Sequence, residues 1–256
     1  MAETQTHEFA TLEVEGRIAR LSLNRPDARN ALSLPLIDAL RKQIARLRGM
    51  PDVSVCVLTG AGKCFCAGMD LKAVLHEPGA PARLLSAIAE LTLELRALPQ
   101  VVVGRINGAA IGGGCGLACV CDISITHADS KMGFPEVDLG VCPAVVAPWL
   151  VKRIGAGRAR QILLMGGIMP GEQAHALGLV TQLVVEQQDL DAAVSAVAQR
   201  LAQAAPGALG ATKGWLNDID ADVLARQVRR GAEISAAVLE TPEARAALEQ
   251  AFSKKK

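Results

Sequence analysis

The chain opens with period-two alternation. Phe9-Ala-Thr-Leu-Glu-Val-Glu15 alternates in part, Gly16 turns, and Ile18-Ala-Arg-Leu-Ser-Leu23 alternates again, which predicts two strands. Asn24-Arg-Pro26 ends the second, because proline cannot donate to a ladder. Helical spacing follows at Leu36, Ile37, Leu40, Ile44 and Leu47, so a helix is expected from a Ser33 cap to about residue 48. Val53-Ser-Val-Cys-Val-Leu58 is a short apolar run closed by Gly60-Ala-Gly62, as a buried strand would be. Leu84, Leu85, Ile88, Leu91, Leu95 and Leu98 place a second helix over 81–98. Val101-Val-Val103 and Ile123-Ser-Ile125 are further strands, separated by Gly108-Ala-Ala-Ile-Gly-Gly-Gly-Cys-Gly116. From Pro143 onward the pattern is almost all helical, and 189–252 has Ala-rich faces and no strand signal. The alternation followed by helices predicts an α/β core over 1–190 and a C-terminal helical part over 191–256. No low-complexity linker divides them.

Charge and composition narrow the function classes. Lys+Arg 27 against Asp+Glu 26 leave a net charge of +1. Such a chain has no global field for nucleic acid or an anionic membrane surface. Aromatic residues are 2% of the chain and Tyr is absent, so stacking platforms for single strands are not expected. No apolar run reaches the roughly 20 residues that span a bilayer. The start, residues 1–7, lacks the basic and apolar regions of a secretory signal. With no such signal, the seven cysteines read as reduced thiols of a cytoplasmic protein. The closing Lys254-Lys-Lys256 reads as a solvated tail.

The candidate chemistry lies in the glycine-rich turns. Gly112-Gly-Gly114 opens an apolar helix, so its backbone N–H groups and the helix dipole could hold an anion or oxyanion. A tight turn with close backbone packing is the alternative. Gly108 to Gly114 does not fit G-x-G-x-x-G, and no phosphate loop ending in Gly-Lys-Ser or Gly-Lys-Thr is present. Cys64, Cys66, Cys115, Cys119 and Cys121 lack the C-x₂-C spacing of structural zinc, so they read as small core residues and no metal is expected. His7, His76, His127 and His175 stand isolated. Glu136 follows Phe134-Pro135 in an apolar, Gly-rich stretch, where burial would raise its pKa and suit it to acid–base work; an ordinary turn or helix-cap carboxylate is the alternative.

Taken in order, these segments resemble the enoyl-CoA hydratase/isomerase (crotonase) family over roughly Phe9 to Lys213. The resemblance rests on Leu23-Asn-Arg-Pro26 with Asn30-Ala-Leu32, Phe65-Cys-Ala-Gly-Met-Asp-Leu71, Gly108 through Leu117, Cys121-Asp-Ile123, Phe134-Pro-Glu136 with Leu139-Gly140, and Ala174-x₂-Leu-Gly-Leu-Val180. It implies a spiral of ββα repeats followed by a C-terminal helical trimerisation region, in a homotrimer or a dimer of trimers. It implies an acyl-CoA thioester as ligand, so coenzyme A enters as part of the substrate and not as a prosthetic group. By position, the backbone N–H groups of Met69 and Gly113 bind the thioester oxygen, and Ala67, Gly68 and Asp70 line the adenine pocket. Arg25, Lys72 and Lys213 are the basic residues placed to meet CoA phosphates, with a solvated charge as the competing reading for each. Met69, Leu75, Leu84, Val145 and Trp149, with Gly116, are the candidates for the acyl pocket.

The chain departs from the family pattern at two positions. Two-glutamate hydratases of the family carry a first Glu 20 residues before the second. That position is Gly116 here, leaving Glu136 alone. The position of a nucleophilic Asp in related dehalogenases is Ala144. The expected activity is hydration of a 2-enoyl-CoA with Glu136 as sole acid and base. A Δ3-Δ2 isomerase using the same Glu, and a non-catalytic CoA-ester scaffold, are the alternatives.

Overall fold

The computed structural model describes residues 8–74, 77–219 and 221–253; the polar start 1–7, Leu75, His76, Asp220 and the basic tail 254–256 lie outside the described residues. Strands β1 (Ala10–Glu15) and β2 (Ile18–Leu23) form a hairpin and lead into α1 (Leu34–Arg48). Ser33 stands at the N-cap of α1, but its hydroxyl makes no capping bond. Next come β3 (Val55–Gly60), β4 (Cys64–Cys66), α2 (Leu71–Val74) and α3 (Ala80–Arg96). A similar unit follows in β5 (Val101–Ile106), β6 (Ala109–Ile111) and α4 (Gly113–Val120). Another begins with β7 (Ile123–His127) and β8 (Lys131–Gly133), before α5 (Ala147–Ile154) and α6 (Ala156–Met165). The chain closes with β9 (Ile168–Pro170), α7 (Gly171–Ala176), β10 (Gln182–Val184), α8 (Leu190–Ala202), α9 (Pro206–Asp218), α10 (Ala221–Leu239) and α11 (Pro242–Ser253).

The strands divide between two mixed sheets, ordered β1-β2-β3-β5-β7-β10 and β4-β6-β8-β9. From β3 onward, the first strand of each ββ pair joins the large sheet and the second joins the small one, so each repeat bridges both. Central strands β3 and β5 pair in parallel, and every residue of β3 is buried. Alternate side chains divide accordingly. Cys56, Leu58 and Val102 enter the main core, while Val55, Val57 and Val103 meet α8 through Leu190, Val194 and Ala198. The boundary expected at 190/191 thus falls at the start of a helix that packs on the large sheet.

Strands β9 and β10 add to the almost all-helical pattern expected after Pro143. Each has three residues and lies at a sheet edge, too short to show alternation. Pro170 is compatible with an edge strand. No helix among the described residues is long and apolar enough to cross a membrane.

Candidate active site

Two glycine turns bring the motifs together. Leu32 pairs with Met69 in an isolated parallel bridge: the Leu32 N–H donates to Gly68 O at 2.7 Å, and the Asp70 N–H donates to Leu32 O at 2.9 Å. This pairing uses the neighbours of Met69, so the N–H of Met69 faces away from Leu32. Gly68 has a φ of +89°, which L side chains rarely adopt. Across from it, Gly112 has a φ of +54° and donates its N–H to Gly133 O at 2.8 Å. Gly113 begins α4, so its N–H has no partner within the helix and lies at the positive end of the dipole. The two free donors are adjacent: a Cβ built on Gly113 would lie 3.8 Å from Met69 N, and one on Gly68 would lie 3.5 Å from Gly113 N. The next glycine serves packing instead. A Cβ at Gly114 would collide with Cys66 O, so α4 seats its backbone directly on β4.

Glu136 completes the arrangement. The buried Phe134 donates its N–H to Gly167 O at 3.1 Å, and the Glu136 carbonyl accepts from Val141 N–H at 2.8 Å. This fixed backbone lays the carboxylate over the Gly112 turn, with Oε1 2.8 Å from where a Gly112 Cβ would stand. Oε2 is buried and has no hydrogen-bond partner. Burial pushes the carboxyl up to about 7. A hydrogen bond from its own backbone opposes the rise, and the charge of Asp138 adds to it. A buried carboxylate with an open lone pair is poised to accept a proton near neutral pH.

The donors and the carboxylate share one narrow cavity of about 80 Å³. Ala67, Gly68, Met69, Gly113, Glu136 and Val145 all line it, as do the apolar side chains of Leu71, Leu85, Ile88, Leu139, Val141 and Val146. Cys142 also stands in this wall and is the one half-buried thiol; the other six cysteines are buried. Among the described residues no group of three His, Cys, Asp or Glu is placed to hold a metal ion.

Several expected residues fall elsewhere. Leu84 and Trp149 are buried in the core outside the cavity wall. The Trp149 indole N–H donates to Thr92 Oγ1 at 3.1 Å. Leu85 and Ile88 take the place expected of Leu84, because a helical stripe does not reveal which edge of it meets a cleft. Gly116 lies behind Val146 and does not reach the cavity. Leu75 is outside the described residues.

The basic residues separate as well. Arg25 binds Asp70 Oδ2 at 2.6 Å and Ala31 O at 3.2 Å, so these two candidate CoA contacts form an ion pair at the rim. Lys72 is exposed on α2. Lys213 corrects the expectation of a phosphate contact. It is buried, and its ammonium donates to Asp122 Oδ2 at 2.7 Å and Gln100 O at 2.9 Å. Asp122 also accepts the Val102 N–H at 2.8 Å, so the pair ties α9 to the large sheet and leaves Lys213 no face for a phosphate. Breaking such an enclosed pair by removing one partner typically costs about 3 kcal/mol or more.

Sequence reasoning missed the support from the C-terminal helices. Ser235 on α10 is fully buried, donates to Cys142 O at 2.7 Å and accepts the Ala144 N–H at 3.1 Å. A Cβ at Gly231 would strike Ala144 O, so α10 lies directly on the 141–146 loop. One serine and one glycine in a helical stretch carry no local signal of that role.

Two mixed sheets bridged by repeated ββα units, with glycine-turn donors beside a buried carboxylate, define the class, and comparison with known proteins agrees. The family model for enoyl-CoA hydratase/isomerase matches residues 13–256. The chain belongs to that family, the crotonase superfamily, and has its α/β fold with two mixed sheets and C-terminal helices. It is 36% identical to the enoyl-CoA hydratase ACTT6 of Alternaria alternata over 231 residues, covering 88% of this chain and 76% of that one. It is 32% identical to the crotonyl-CoA hydratase of Syntrophomonas wolfei, covering 84% of this chain and 85% of that one. The solved structure of Pseudomonas aeruginosa AtuE superposes with a TM-score of 0.79 at 35% identity, over 97% of this chain and 98% of that one.

Proposed function

We propose that the protein hydrates 2-enoyl-CoA thioesters with Glu136 as its single acid and base. The observation that carries this reading is the buried Glu136 carboxylate, with one unpartnered oxygen, beside the adjacent N–H groups of Met69 and Gly113. The thioester oxygen sits between the two donors. The carboxylate takes a proton from water as the water oxygen attacks Cβ. Negative charge then grows on the thioester oxygen, where each preorganised donor is worth about 3–4 kcal/mol. Glu136 returns the proton to Cα on the same face, so atoms and charge balance. Backbone donors make the Met69 side chain incidental to this role. The hydratase names of relatives such as the crotonyl-CoA hydratase of Syntrophomonas wolfei support the reaction.

Coenzyme A would lie along Ala67, Gly68 and Asp70, with Arg25 and Lys72 at the phosphates. A homotrimer or a dimer of trimers accompanies this reading. Leu164, Met165 and Ile168, exposed at the end of α6 and in β9, supply apolar surface for such an assembly.

One observation favours a second reading. Glu136 is the only carboxylate of the cavity wall among the described residues, and one carboxylate suffices to carry a proton from Cγ to Cα in a 3-enoyl-CoA. A panel of 2-enoyl and 3-enoyl thioesters separates the two. Hydration lowers the conjugated 2-enoyl absorbance and adds the mass of one water. Isomerisation raises conjugation of 3-enoyl substrates at constant mass. Binding without either change would leave a CoA-ester scaffold and end both readings.

A further inference from the structure

The wall of the acyl cavity contains an interlocked pair. Val146 immediately precedes α5. Its N–H donates to Pro143 O at 3.3 Å, and its carbonyl accepts the Leu150 N–H at 3.2 Å, so its backbone is fixed at both ends. One side of its isopropyl group lines the cavity. The other side rests on α4 at Gly116, where a built Cβ would come within 2.5 Å of Val146 Cγ1 and 3.2 Å of Val146 Cβ. A β-branched side chain has few rotamers to escape into, and Val146 is only 1% exposed. Val146 therefore fills the space that a side chain at 116 would need. The absence of a side chain at 116 is what lets Val146 sit back from the cavity.

From this contact we propose that Val146, seated on Gly116, sets the size of the acyl group and restricts the site to short, uncharged acyl chains. The proposal rests on the reading of the cavity as an acyl-CoA site. Leu85, Ile88, Val141 and Val145 continue the same apolar wall, and among the described residues no cation stands in it to receive an acyl chain that ends in a carboxylate. An unpaired charge there would lose its hydration without compensation.

Binding of saturated thioesters tests this without any need for turnover. Dissociation constants are measured for butanoyl-, octanoyl- and succinyl-CoA with the wild type, Val146→Ala, Gly116→Ala and the double variant. The wild type is expected to favour butanoyl-CoA over the other two. Val146→Ala should shift the preference toward octanoyl-CoA by about tenfold, the scale of a methylene or two in an apolar pocket. Gly116→Ala should push the isopropyl group into the cavity and weaken butanoyl-CoA by about tenfold. The double variant should recover most of that loss, a non-additive result expected of groups in contact. An unchanged octanoyl-to-butanoyl ratio in Val146→Ala would overturn the proposal, as would equal affinity of the wild type for succinyl- and butanoyl-CoA. If Gly116→Ala does not fold, the Val146→Ala ratio still decides. Failure of the wild type to bind any of the thioesters would instead overturn the acyl-CoA reading on which the proposal stands.

Discussion

Replacing Glu136 by glutamine is expected to remove nearly all turnover while making the folded protein more stable above neutral pH. The two effects share one cause. Burial lifts the carboxyl from its ordinary value of 4.5 to about 7, so the folded state binds this proton more tightly than the unfolded chain does. The stabilisation from the bound proton is fully present below about pH 4.5. It is lost as the pH rises through the window from 4.5 to about 7 and does not return above it. At pH 8 the ionised carboxylate therefore costs the fold about 3 kcal/mol, which glutamine avoids. Urea unfolding of both proteins should show a gain for Glu136→Gln of up to that size at pH 8 and little difference near pH 4. Equal differences at both pH values would mean that the carboxyl is not buried as described. Retained turnover would remove Glu136 from the chemistry altogether.

A similarly large loss is expected from Gly68→Ala, although this residue contributes no reacting group. Its φ of +89° is strained for alanine, and the new methyl would lie 2.7 Å from Ile111 O. Gly68 precedes the Met69 donor, and Ile111 leads through Gly112 into the Gly113 donor. One methyl therefore disturbs both N–H groups. Loss of one oxyanion donor generally lowers kcat by about 10²–10³. A fall of that order in kcat is expected, with KM for the thioester changed far less because the donors act mainly on charge that develops in the transition state. Met69→Leu is the matching control, since it alters the side chain and keeps the donor. A Met69→Leu defect as large as that of Gly68→Ala would contradict backbone donation.

The fold was legible wherever periodicity ran long enough. Helices α1 and α3 announced themselves through Leu36 to Leu47 and Leu84 to Leu95, and β3 through its unbroken apolar run. Three-residue strands such as β9 and β10 have no period to read, and their pairing partners, Lys131–Gly133 and Ile125–His127, lie far away in sequence. At the candidate site, the Gly112–Gly114 turn and Glu136 stood out from the local sequence, whereas Met69 and Gly113 entered as donors only through the family resemblance. The pocket walls were not visible, since which face of a helix meets a cavity depends on packing between elements. That is why Leu84 and Trp149 gave way to Leu85, Ile88 and Val146. Lys213 misled for a related reason. Its charge suggested solvent or phosphate, and only the approach of α9 to Asp122 encloses it. Gly116 read as a missing acid, and the structure adds that Val146 occupies the space such an acid would need.

In the proposed hydration one carboxylate, Glu136, does all the proton transfer. The pH dependence of kcat/KM for a short 2-enoyl-CoA tests it most directly, because that profile reports the essential groups of the free enzyme. A single rising limb with its midpoint near 7 and a plateau above it is expected, since the base must be ionised. A bell-shaped profile with a second limb below about pH 9, or a profile flat through 7, would contradict it.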